Sequence, residues 1–175
     1  MIQSRSIAGN IHDAAGAFEG LLIDRLPLEW HELDKGILRK FTKGGQELGF
    51  RNLYGTPLQN GDVLFVDARC CIVVDILPCP CLVVYPKDSL EMARVCAEIG
   101  NRHLPIAIRS SKEVLLAYEE PLRRLFAKRG IDSSVEDRIL EQTKTLKIHA
   151  WTRKTKFKIT LAKTIHESFV DPVAD

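Results

Sequence analysis

The chain has 175 residues, 25 of them basic and 23 acidic, a formal net charge of +2 and an apolar fraction of 45%. That composition builds a globular core and excludes intrinsic disorder. A charge so close to balance is too small to argue for nucleic acid or a membrane surface on charge alone, and neither is expected as a partner. No apolar run reaches the roughly 18 residues of a membrane span. Met1 to Asn10 lacks an apolar signal core, so a cytoplasmic protein is expected, with its five cysteines held as thiols.

Short strands fill the first part. Leu21-Leu22-Ile23, Gly36 to Phe41, Glu47 to Arg51, Val63 to Val66 and Cys71 to Ile76 read as extended segments. Lys43-Gly44-Gly45-Gln46 and Asn60-Gly61 are turn signals between them. The expectation is a small β-sandwich or barrel over residues 1–76. Leu77-Pro78-Cys79-Pro80 then reads as a linker or domain edge.

The pattern changes beyond it. Cys81 to Pro86 is a buried strand, and Asp88 or Ser89 caps a helix with Glu91 in its first turn. Leu90, Ala93, Val95, Ala97 and Ile99 give that helix its apolar residues, and Gly100 is placed to end it in the left-handed region. Leu104 to Ile108 and Glu113 to Tyr118 follow as strands. Pro121 opens a second helix that Gly130 closes. The order β-α-β-β-α, completed by one more strand, predicts a ferredoxin-like βαββαβ unit over residues 77–150. The charged segment Ser133 to Thr145 reads as a loop or short helix. Leu146 to Trp151 and Lys156 to Leu161 alternate as strands, and residues 151–175 form a C-terminal extension. The fold class is therefore α+β, an all-β N-terminal domain followed by a ferredoxin-like one.

Few residues carry chemistry. Neutral imidazole is a good ligand for borderline metals, and His103 follows a helix end in Gly100-Asn101-Arg102-His103. Taken alone it is more simply a structural histidine bonded to that end. One imidazole holds a metal weakly, but a two-fold axis would supply a second. His149 lies in an alternating segment and His166 in the tail; flexible histidines can complete the shell of a carrier that must release its ion. His12 and His31 read as surface residues. Cys70-Cys71 and Cys79-Pro80-Cys81 offer a rival, a cysteine-based zinc or redox site. Their spacing is poor for zinc, and adjacent strand residues face opposite ways. Cys71 and Cys96 read as small buried hydrophobes. No phosphate-binding loop, dinucleotide fingerprint or nucleophile elbow is present, so nothing argues for an enzyme.

Ile99-Gly100-Asn101-Arg102-His103 after a helix resembles the signature of the urease accessory protein UreE family. Leu28-Glu29-Trp30, Arg39, Gly61-Asp62-Val63-Leu64 and the β-then-ferredoxin order resemble it too, over roughly residues 1–130. Phe157-Lys158-Ile159-Thr160-Leu161-Ala162 is similar to the tail of its epsilon-proteobacterial, Helicobacter-like branch. The resemblance implies a nickel metallochaperone, with zinc in competition. It implies a homodimer built through the C-terminal domains, or a dimer of dimers. His103 of each chain would meet at the axis, with His149 as the further ligand and about one nickel per dimer. It implies delivery to the urease apoprotein complex with the urease accessory GTPase, and an N-terminal domain similar to the peptide-binding modules of J-domain co-chaperones. A metal-free co-chaperone is the remaining alternative. The histidine-rich storage tail of many members is not matched: beyond His149 only His166 remains.

Overall fold

A computed structural model of the protein describes residues 1–13, 16–141 and 145–146. Its N-terminal part holds β1 (Ile2–Ser4), β2 (Gly9–Asn10), β3 (Leu22–Leu28), β4 (Ile37–Phe41), β5 (Glu47–Arg51), β6 (Asp62–Val66) and β7 (Cys70–Ile76). They form two sheets, β1-β5-β4 and β2-β6-β7-β3. Alternation drives this: Leu38, Leu48 and Phe50 of the first sheet and Leu26, Leu64 and Ile72 of the second are buried in one core. β4 and β5 join through the predicted glycine turn, where Gly45 sits at φ +82°. Two pairings are parallel, β1 with β5 and β3 with β7. β3 runs on through Pro27, which is tolerated because β3 is an edge strand.

Gly61 and Asp62, part of the family-like motif, are architectural. Gly61 adopts φ +86°, and a Cβ there would meet His12 Cδ2 at 2.5 Å. Asp62 is buried; its carboxylate accepts the Gln59 N–H at 2.7 Å and the Asn10 amide at 3.0 Å. Burial pushes its carboxyl above the usual range, and these two hydrogen bonds oppose the rise.

The C-terminal part holds β8 (Cys79–Val84), α1 (Ser89–Gly100), β9 (Ala107–Ser110), β10 (Glu113–Ala117), α2 (Glu120–Lys128) and β11 (Ser133–Arg138). The sheet order is β11-β8-β10-β9, antiparallel throughout. This is the ferredoxin-like βαββαβ arrangement. Leu82, Val84, Val114 and Leu116 meet Val95 and Ile99 of α1 and Leu122 and Phe126 of α2 in the helix-side core.

Three expectations are corrected. The segment Ser133 to Thr145 is neither loop nor short helix at its start: Ser133–Arg138 is the closing strand, paired along β8 from Ser133↔Val84 to Arg138↔Cys79. The linker is shorter than read, because Cys79 and Pro80 already belong to β8. Gly100 is the last helical residue, not a left-handed cap; Asn101 follows at φ −61° and the left-handed residue is His103. Of Leu146 to Trp151, Leu146 forms a single antiparallel bridge with Ile106. His149, His166 and residues 151–175 lie outside the described residues. No described helix is long and apolar enough to cross a membrane.

Candidate metal site at the end of the first helix

Each end of α1 is fixed by sequence. Asp88 is the N-cap, its Oδ1 accepting the Glu91 N–H at 2.8 Å, and Glu91 Oε2 accepts the Lys87 N–H at 2.7 Å. Val95 and Ile99 are fully buried and lock the helix to the sheet. At the far end, Glu98 Oε1 accepts from Arg129 at 2.5 Å, which ties α1 to the end of α2.

The last turn winds up in successive steps. The Asn101 N–H donates to Ala97 O at 2.9 Å, Arg102 to Ile99 O at 3.1 Å, and His103 to Gly100 O at 2.9 Å. The chain then reverses at His103, the only described non-glycine residue with positive φ, at 58°. A side chain in that region costs on the order of 1 kcal/mol against glycine. Histidine, with asparagine and aspartate, is among the non-glycine residues enriched there. His103 is exposed. Beside it the Arg102 guanidinium lies 3.8 Å from Glu119 Oε1, the residue before α2. Three residues on, Ile106 exchanges two backbone hydrogen bonds with Leu146, at 3.1 and 2.6 Å. The site is thus an exposed imidazole on a strained turn, held by a rigid helix on one side and a bridged strand on the other. Neither the Arg102–Glu119 contact nor the Ile106–Leu146 bridge was found from sequence, since both join residues far apart in the chain.

The rival cysteines do not form one site. Cys71 is buried with Val63 and Val73 in the N-terminal part, whereas Cys81 packs with Val83, Ala107 and Leu115. All five cysteines are free thiols. Burial is the first cause holding every one of them above the usual thiol value, and it takes Cys81 to about 12. At neutral pH they are protonated and weakly nucleophilic. Among the described residues no group of three or more His, Cys, Asp or Glu is arranged to hold a metal ion. His12 packs on Gly61, and His31 Nδ1 lies 3.4 Å from Glu29 Oε2.

Comparison with known proteins adds to this geometry. The profile of the N-terminal domain of the UreE urease accessory protein matches residues 5–77, and that of its C-terminal domain matches residues 79–150. Urease accessory protein UreE of Flavobacterium johnsoniae is 46% identical over 110 residues, 62% of this chain and 66% of its own. That of Acetivibrio thermocellus is 41% identical over 113 residues, 65% and 73% of the two chains. That of Helicobacter hepaticus is 36% identical over 129 residues, 71% and 72%.

Proposed function

This chain belongs to the UreE urease accessory protein family, and on that premise we propose that it carries Ni(II) for assembly of the urease active site. It acts as a metallochaperone, without chemistry of its own. His103 is the principal ligand and works as a pair, one imidazole from each chain of a homodimer. The observation that carries this reading is the exposed His103 imidazole kept on a left-handed residue at the end of a rigid helix. A carrier must capture an ion and then give it up. Few ligands, imidazole donors and an exposed position all favour exchange.

His149 is the proposed helper. Leu146 is bonded to Ile106, three residues from His103, and His149 is three residues beyond Leu146. Zinc is the natural competitor, because the same imidazoles serve both ions. The urease apoprotein complex and the urease accessory GTPase are the proposed partners, and the cytoplasm the proposed compartment.

Calorimetric titration of nickel into the wild-type chain and His103→Ala tests the reading. The tight site should vanish from the variant, a loss beyond about a hundredfold that exceeds removal of an outer-shell partner. Unchanged binding by His103→Ala would overturn the ligand assignment. No binding by either protein would overturn the nickel function.

A further inference from the structure

Cys79 and Cys81 stand two residues apart on β8 and so share one face of the sheet, the face away from α1 and α2. Their sulfurs lie 3.7 Å apart. Cys81 has no exposed surface, and its S–H donates to the Arg138 carbonyl at 3.8 Å. Cys79 is half-buried and lines a cavity of about 560 Å³ with Glu29, Trp30, Pro78, Ala117 and Tyr118. One thiol is therefore reachable from solvent, and the second lies directly behind it.

Three chemistries compete for such a pair. Two residues of rise along a strand, about 6.4–6.8 Å, fall at the upper limit of the Cα spacing a disulfide tolerates, about 4.4–6.8 Å, and the sulfurs, 3.7 Å apart, would have to close to about 2.05 Å. β8 is paired on both flanks, to β10 and to β11, which holds the strand extended against that closure. A four-coordinate ion needs further donors, and among the described residues no cluster of three or more metal-ligating side chains supplies them. Two thiols with no third donor make the ligand set of a soft ion that accepts two-fold coordination. Cu(I) is that ion, because soft thiolates select it.

We propose that Cys79 and Cys81 form a two-thiolate site for one cuprous ion per chain, entered through the cavity beside Trp30 and Tyr118. Binding forms two sulfur–copper bonds and breaks two S–H bonds. Both protons pass to solvent, no oxidation state changes, and the site gains one net negative charge. The Arg138 guanidinium favours the Cys81 thiolate and offsets part of that charge. Burial, followed at Cys79 by the carboxylates of Asp137 and Glu29, keeps the thiols protonated. The site is independent of the nickel reading and chemically complementary to it.

The test is anaerobic competition for Cu(I) between the full chain and a colorimetric cuprous chelator, with ascorbate as reductant. The wild-type chain should withdraw one Cu(I). Cys79→Ser and, separately, Cys81→Ala should each weaken the site more than about a hundredfold, beyond the loss of an outer-shell partner. His103→Ala and Cys96→Ala should bind as the wild type does; the Cys96 control matters because its sulfur lies 3.8 Å from Met92 Sδ. Unchanged circular dichroism, with Cys79→Ser at the less buried position, separates ligand loss from unfolding. Copper retained by the Cys79→Ser variant, copper lost with His103 or Cys96, or no copper taken by the wild type would each overturn the proposal.

Discussion

His103 and Cys81 are both metal-ligating residue types, and the fold treats them in opposite ways. The imidazole stands exposed on the turn after α1, at φ 58°. The thiol sits on an interior strand, with no exposed surface and a pKa of about 12. One position is open to solvent, and the other is closed off within the sheet. The difference comes from the backbone. A helix end leaves its last residues at the surface, whereas a strand paired on both sides buries one face of the sheet.

The imidazole turn depends first on the support of the helix. Phe126 is fully buried among the α1 and α2 contacts. Phe126→Ala should cost about 3–5 kcal/mol in a denaturant melt and weaken nickel binding through the loosened helix.

The next effect sharpens the thiol side. Glu32 closes the short turn Trp30–Glu32 that carries the cavity's tryptophan. Burial alone would raise its carboxyl, but Lys40, the Glu29 backbone and Lys35 more than reverse this and take it to about 2. A carboxyl depressed in the folded state stabilises fully above its unfolded value, here 4.5, and loses that contribution as pH falls towards 2. The contribution is about 3 kcal/mol at neutral pH, an upper figure. Acid titration of stability should therefore steepen in that window for the wild type and flatten in Glu32→Gln, which strands Lys40 and Lys35. Cys79 reactivity towards a thiol reagent should rise in the variant, while nickel binding at His103 stays unchanged.

Smaller effects bear on the imidazole side. His149→Ala should weaken nickel about tenfold in calorimetry, the size expected of a helper rather than a principal ligand. His103→Gly should abolish the nickel site yet raise thermal stability by about 1 kcal/mol, because glycine carries no left-handed penalty. A variant that melts lower would show that the turn stores no strain.

How far these features were legible depended on their range. His103 could be singled out because a helix, a terminating segment and a histidine lie within a few consecutive residues. The left-handed position was misassigned to Gly100 because glycine is the usual occupant, and nothing local tells that the helix runs on to include it. β4, β5 and β7 were readable from alternating apolar residues and glycine turns. β11 was not, since Ser133–Arg138 is an edge strand whose side chains are mostly polar, the composition that protects an exposed edge. The parallel pairings, the Ile106–Leu146 bridge and the approach of Trp30 to Cys79 are contacts between distant segments. Cys79 and Cys81 share a face only because β8 begins at Cys79, inside the segment that reads as a linker in the sequence.

The proposed carrier holds nickel by His103 from two chains at once. Its most direct test is nickel stoichiometry, by equilibrium dialysis and metal analysis on material whose mass is fixed by sedimentation. About one tightly bound nickel per pair of chains is expected, with none in His103→Ala. One tight nickel per single chain, in a species that sediments as a monomer, would contradict it.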